Sequence, residues 1–140
     1  LGAGVPIGAT ITRGRAKGLF RPGSHGTTFG GNPVACAAAN VVLDTVDAEL
    51  LAEVTRKGDY VRQECEKLSI VDRVRGRGLM LGLVLRTPVA KQAVRDGLAQ
   101  GLILNAPSEN VLRLTPPLVI SHHELDTALS TLGTILEELA

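Results

Sequence analysis

The first 31 residues of the chain contain nine glycines and no aspartate or glutamate, and no other feature restricts the fold as strongly. Glycine loses more conformational freedom on folding than any other residue, so such a segment gains little by ordering itself. It has room for one short strand, which we predict over residues 7–12. We therefore expect residues 1–31 to form an irregular arm or the edge of another domain, and residues 32–140 to fold as a separate part.

The composition of the chain limits its partners. Its formal net charge is +1, with 44% hydrophobic and 21% charged residues, which is typical of a globular domain and argues against intrinsic disorder. General binders of nucleic acid or of anionic membranes carry an excess of basic residues that is missing here. Two phenylalanines and one tyrosine are too few to stack the bases of a single strand. We expect no nucleic-acid partner and no membrane partner.

Cysteine and histidine are sparse. Cys36 and Cys65 are too few for a disulfide framework and indicate reduced thiols in the cytosol, so we expect a cytoplasmic protein. His122 and His123 point in different directions from one helical turn, and we expect no metal site. The chain starts with Leu1, not methionine, and we expect it to be part of a longer protein.

Beyond residue 31 the hydrophobic pattern predicts an α+β domain in which helices cover a small sheet. Asn32 and Pro33 are typical of a helix start, and Ser121 with Glu124 predicts a capping box for the last helix. The predicted helices cover residues 33–45 and 48–68, a stretch opened by Thr87 and Pro88 and stopped by Gly101, and a stretch that begins after Ser121. The predicted strands are a bent strand or hairpin over 71–86 and short strands over 102–105 and 111–115.

Helical spacing identifies the residues expected to face the core. They are Leu51, Val54, Val61, Cys65 and Leu68 in the second helix, Ala90, Val94 and Leu98 in the third, and Leu125, Leu129, Leu132, Leu136 and Leu139 in the last. Gly58 is expected to weaken the second helix by about 1 kcal/mol relative to alanine.

Two places carry residues suited to binding anions. The segment His25–Pro33 combines two threonines, a glycine pair and a helix start, where free N–H groups and the helix dipole favour a phosphate or carboxylate. The alternative is a tight loop whose threonines bond their own backbone. Arg113 lies on a strand face where it either meets water or grips a carboxylate with its planar fork.

Other residues offer no nucleophile or base. Arg73, Arg75 and Arg77 share one face of a strand, which is typical of a solvated surface. Cys36 and Cys65 are expected to pack as small apolar residues. The residues are therefore suited to binding anions, but none of them is an evident reactive group.

Four motifs in a fixed order resemble the C-terminal part of the class III pyridoxal-phosphate aminotransferases. They are Leu1–Ala9, His25–Pro33, Val74–Gly82 and Val111–Leu118. The resemblance implies a fold type I enzyme that forms a homodimer through its large domain. Residues 1–31 would complete the large cofactor domain, and residues 32–140 would form a connecting helix and the small, mostly antiparallel C-terminal domain.

The resemblance also implies site residues. Thr28 would reach the phosphate of pyridoxal 5'-phosphate in the other subunit, with Thr27 and Gly26 shaping the loop. Arg113 would hold the α-carboxylate of amino-acid and 2-oxo-acid substrates. Ala3 stands where many relatives have glycine, which restricts the backbone beside the cofactor.

One departure concerns the family's Schiff-base lysine, which normally stands two residues before the leucine that matches Leu1. None of the lysines in the chain has that context, so no catalytic residue is assigned and the fragment alone is expected to be inactive. The lysines are Lys17, Lys57, Lys67 and Lys91.

Within the family the motifs are most similar to the enzymes of arginine biosynthesis that act on N-acetylornithine. Enzymes for ornithine, 4-aminobutyrate or succinyldiaminopimelate share much of the pattern and stay open as alternatives. A stand-alone binding or interaction domain without catalysis is an alternative of a different class.

Overall fold

A computed structural model describes all 140 residues. After a short 3-10 turn at Gly14–Ala16, the elements are α1 (Pro33–Thr45), α2 (Ala48–Glu66), β1 (Val71–Arg77), β2 (Met80–Leu85), α3 (Ala90–Ala99), β3 (Asn105–Ser108), β4 (Val111–Leu114) and α4 (His122–Glu138). The chain divides into two units, Leu1–Asp47 and Ala48–Ala140. None of the helices combines the length and the apolar character that crossing a bilayer requires.

The first unit has no hydrophobic core. Its buried residues are Gly2, Ala35 and Ala39. The strand predicted over residues 7–12 is wrong, because those residues find no strand to pair with in this chain. The unit leaves large apolar side chains exposed: Ile11, Leu19, Phe20, Phe29, Val34, Val41 and Leu43.

Two local predictions in the first unit concern its backbone. Helix α1 begins at Pro33 as predicted, and the side chain of Asn32 accepts a hydrogen bond from the N–H of Ala35 at 2.9 Å. Ala3 has φ +48°, in the left-handed region that favours glycine. The backbone at Ala3 is therefore strained.

The second unit contains the sheet, and the α+β prediction is confirmed. Its four strands lie in the order β1-β2-β4-β3, and every neighbouring pair is antiparallel. β1 and β2 form the predicted hairpin. Val74, Leu83 and Leu112 are buried in the core that α2, α3 and α4 help to form.

Helix α2 packs on the sheet through Val54, Val61 and Cys65, as its spacing predicts. Leu51 was expected on this stripe but is exposed, because the stripe continues four residues before Val54, to Leu50, which packs against the core.

Gly58 explains how closely α2 approaches the hairpin. A Cβ atom at this position would lie 2.3 Å from the carbonyl oxygen of Gly78, which has φ +49° in the connection between β1 and β2. The glycine that weakens the helix is thus required by the packing of the helix on the sheet.

Helix α3 begins later than predicted, at Ala90 and not at Thr87 or Pro88. Its buried face is Ala90, Ala93 and Gly97, and Leu98 is wrong as a core residue because it is 68% exposed. Its end is as predicted. Gly101 has φ +79°, and the N–H of Leu102 reaches the carbonyl of Gly97 at 2.7 Å, which is a Schellman ending.

The third strand is displaced from its prediction, at Asn105–Ser108 and not 102–105. The apolar residues Leu102 and Leu104 precede it and pack against the core. Its register against β4 shifts between Asn105 and Ser108. Strand β4 matches its prediction to within one residue.

Helix α4 confirms the clearest local prediction. Its capping box is complete, with Ser121 and Glu124 bonded reciprocally, and Ile120 and Leu125 both join the core. The predicted stripe faces the core: Leu125, Leu132 and Leu136 are buried, and Leu129 and Leu139 are packed at its edge.

Candidate functional site

The first candidate site is the loop Gly26–Thr28, which lies before α1 and is exposed. Neither the Thr27 nor the Thr28 hydroxyl makes a hydrogen bond within the chain. The alternative of a loop held by threonine bonds to its own backbone is therefore not what the structure contains.

Asn32 holds this loop. Its Nδ2 donates to the carbonyl of Phe29 at 2.8 Å while its Oδ1 accepts from the N–H of Ala35 at 2.9 Å. Gly30 is in close contact with the side chain of Thr27, because a Cβ atom at Gly30 would lie only 2.1 Å from the Thr27 methyl group. The cap of α1 was predicted from the sequence, but its second bond, to the loop, was not.

The backbone N–H groups of residues 25–31 make no hydrogen bond in the chain. They lie just ahead of the N-terminus of α1, where the helix dipole is positive. Together with the two free hydroxyls they give this loop the donors that an anion such as a phosphate needs.

The second candidate site is Arg113 on β4, whose side chain is exposed. Its cross-strand neighbours are Gly82 on one side and Asn105 on the other. The guanidinium donates from Nε at 3.0 Å and from Nη2 at 2.8 Å to the Oδ1 of Asn105. No carboxylate pairs with it, so its positive charge is uncompensated within the chain.

Arg113 borders a largely apolar cavity of about 410 Å³ within the second unit. Leu81, Leu104, Ile120 and Leu129 contribute to its wall, and its polar side chains are Asn105, Arg113 and Thr115. The site can thus receive a molecule with an aliphatic part and a carboxylate.

Neither the role of Asn105 nor this cavity is predicted from the sequence. The available signal was weak: Asn105 is the one polar residue in the otherwise apolar run 102–106. Its pairing with Arg113 depends on the antiparallel register of β3 and β4, which no local pattern specifies.

Two contacts hold the chain between Arg113 and the start of α4. The buried Lys57 donates from Nζ to the carbonyl of Ile120 at 2.5 Å. Glu53 lies 3.2 Å from His122, and hydrogen bonds from Arg56 and His122 lower the pKa of the Glu53 carboxyl. Lys57 therefore has a structural role at the start of α4.

Cys65 is not an activated nucleophile. Cys65 is buried, and burial raises the pKa of its thiol to about 12. Cys36 is half-buried, and both thiols are free of disulfides. Arg73, Arg75 and Arg77 are exposed on one strand, as predicted, and Arg73 pairs with Asp72 at 2.6 Å.

The predicted site residues fall in both units. Gly26, Thr27 and Thr28 belong to the first unit and Arg113 to the second.

The chain is similar over nearly its whole length to known proteins. The family described as aminotransferase class III matches residues 1–136. The acetylornithine aminotransferase of Corynebacterium efficiens is 55% identical over 99% of the chain. The chain spans 35% of the length of that relative.

Solved structures share the fold. The acetylornithine aminotransferase of Elizabethkingia anophelis has a TM-score of 0.75 and 35% identity, over 85% of this chain and 33% of that one. The ornithine aminotransferase of Toxoplasma gondii has a TM-score of 0.72 and 30% identity, over 86% of this chain and 30% of that one.

Proposed function

We propose, given that the chain belongs to the class III aminotransferase family, that it is the C-terminal part of an acetylornithine aminotransferase. Such an enzyme moves the terminal amino group of N-acetylornithine to 2-oxoglutarate and forms N-acetylglutamate semialdehyde and glutamate. The observation that carries this proposal is the 55% identity to an enzyme of that name over 99% of the chain. The 30% identity to an ornithine aminotransferase supports the family and not the donor.

Pyridoxal phosphate would be the cofactor, and the loop at Thr28 fits its phosphate. Two hydroxyls without a partner and a row of free backbone N–H groups are the donors that a phosphate dianion requires. When bound, the cofactor supplies a ring that draws electrons from the reacting carbon of the substrate. We assign the phosphate contact to Thr28 of one subunit toward the cofactor of its partner in a homodimer, with Thr27 and Gly26 shaping the loop.

None of the lysines is proposed to hold the cofactor covalently. Lys57 is buried and donates a hydrogen bond to the carbonyl of Ile120. Lys67 forms an ion pair with Glu64, and Lys91 forms one with Glu109. We propose that the 140 residues alone are inactive and that the longer protein supplies the reactive amine. The free thiols agree with a cytoplasmic enzyme.

Arg113 is proposed to anchor a substrate carboxylate in both halves of the reaction. No acid within the chain pairs with it, and it borders an apolar cavity, which suits the carboxylate and the aliphatic stem of an amino acid. Its contribution is to bind and align the substrate at the reacting atoms.

The test of the donor is an assay of the full-length enzyme on N-acetylornithine, ornithine, 4-aminobutyrate and succinyldiaminopimelate. We expect the highest kcat/KM with N-acetylornithine. If N-acetylornithine is the poorest of these donors, the donor assignment is wrong, and the best of the others replaces it.

The test of Arg113 is its replacement by glutamine in the same enzyme. Loss of charge-assisted bonds to the carboxylate is expected to raise KM roughly 10- to 100-fold. Arg77→Gln is the matched control, because Arg77 is exposed, carries the same charge and has no partner in the chain. Equal effects of the two substitutions would refute a specific carboxylate contact.

A further inference from the structure

The orientation of the Arg113 guanidinium depends on a neighbouring side chain. Asn105 is its direct cross-strand neighbour, and both N–H groups on one edge of the guanidinium donate to the amide oxygen, at 3.0 and 2.8 Å. A guanidinium only donates hydrogen bonds, so the amide must present its oxygen and not its nitrogen. The polar contact is therefore defined in both geometry and direction.

The contact leaves part of the guanidinium free. Asn105 occupies the edge formed by Nε and Nη2, and no other group in the chain bonds to Arg113. Of the five N–H donors of an arginine, those on Nη1 and the second hydrogen on Nη2 remain. One Nη1 hydrogen and the remaining Nη2 hydrogen form the outer edge, which can bind a carboxylate with two parallel bonds.

The chemistry of Asn105 matters as much as its position. Its amide is neutral, so it orients the fork without neutralising the charge of Arg113. An acid in its place would form an ion pair with the arginine and compete with an incoming carboxylate. The register shift in β3 after Asn105 is of the kind that re-aims side chains beside binding sites.

We propose that Asn105 is the positioning residue of Arg113: it fixes one edge of the fork and keeps the outer edge cationic and free for the substrate α-carboxylate. This inference rests on the proposed carboxylate contact of Arg113 but not on the identity of the amino donor. It makes residue 105 a determinant of how strongly the enzyme holds any α-carboxylate.

The experiment compares Asn105→Asp and Asn105→Leu in the full-length holoenzyme. Asn110→Asp is the matched control, since it makes the same change of charge in the β3–β4 turn and Asn110 bonds Ser108 instead of Arg113. KM and kcat are measured with N-acetylornithine and with N-acetylputrescine, which is the same donor without its α-carboxylate. Binding of glutarate is measured by calorimetry, as a readout that needs no turnover.

Asn105→Asp is expected to raise KM for N-acetylornithine and to weaken the binding of glutarate, each about fivefold, with kcat nearly unchanged. A change of this size corresponds to the free energy of one exposed ion pair. This effect should shrink at high salt. Asn105→Leu removes the orientation without adding charge, and it should raise the same KM by a smaller factor, about two- to threefold. KM for N-acetylputrescine should not change in either variant.

The proposal is overturned if Asn105→Asp and Asn110→Asp have equal effects, or if N-acetylputrescine is affected as strongly as N-acetylornithine. It is also overturned if both Asn105 variants leave glutarate binding at the wild-type level. A wild-type enzyme that prefers another donor would refute the donor assignment alone, because glutarate binding would still report on Asn105.

Discussion

Replacing Gly58 by alanine tests whether helix propensity or close packing decides the stability of α2. In an isolated helix the change would stabilise by about 0.8–1.0 kcal/mol. In the fold, the new Cβ would lie 2.3 Å from the Gly78 oxygen and 2.6 Å from the Gly78 carbonyl carbon. Those atoms are backbone in a tight connection, so they cannot rotate away as a flexible side chain would.

Forcing an extra carbon into a packed interior typically costs about 1–3 kcal/mol, and a backbone contact belongs at the upper end of this range. After the propensity gain is subtracted, we expect Gly58→Ala to lower the free energy of unfolding by about 1–2 kcal/mol. Gly133→Ala is the matched control in α4, where the new Cβ would meet only Leu68 Cδ2 at 3.8 Å, an ordinary contact. There we expect a gain of about 0.8–1.0 kcal/mol.

The assay is urea unfolding of the 140-residue chain followed by far-ultraviolet circular dichroism. The midpoint should fall for Gly58→Ala and rise for Gly133→Ala, with the slope unchanged in both, so that the shifts report stability. A Gly58→Ala chain as stable as wild type would refute the reasoning. So would a loss of stability in Gly133→Ala of the same size.

Three further outcomes are expected. Ala3→Gly should stabilise by about 1 kcal/mol, because it relieves a left-handed backbone at φ +48°, and thermal unfolding would show no gain if that strain is absent. Cys65 should resist iodoacetamide at pH 8 in the folded chain, since its thiol pKa is raised to about 12, while Cys36 reacts first; equal rates would contradict the burial of Cys65. Bonds from Ser121 lower the pKa of Glu124 below its ordinary 4.5, so its stabilising contribution is full above that value and is lost as the pH falls through the lowered pKa. The stability difference between wild type and Ser121→Ala should therefore shrink in acid, and a difference that grows there would be the contrary result.

Local sequence was sufficient to predict a structural feature when all the residues that determine the feature lie in one short segment. Asn32 with Pro33, Ser121 with Glu124, and Gly101 each act within one turn of their helix, and all three helix ends lie where the sequence predicts them. The order of the motifs also identified the family, and the proposed contacts of Thr28 and Arg113 follow from that resemblance and not from their residue types alone.

Tertiary structure decided what depends on distant partners. The predicted strand over residues 7–12 is not formed because a strand needs a neighbour to bond, and β3 is displaced because pairing with β4 sets its position. Propensity alone makes Gly58 a defect, whereas the contact with Gly78 makes it a requirement. The pairing of Asn105 with Arg113 likewise follows from strand register, a long-range property that neither residue's own neighbours in sequence encode.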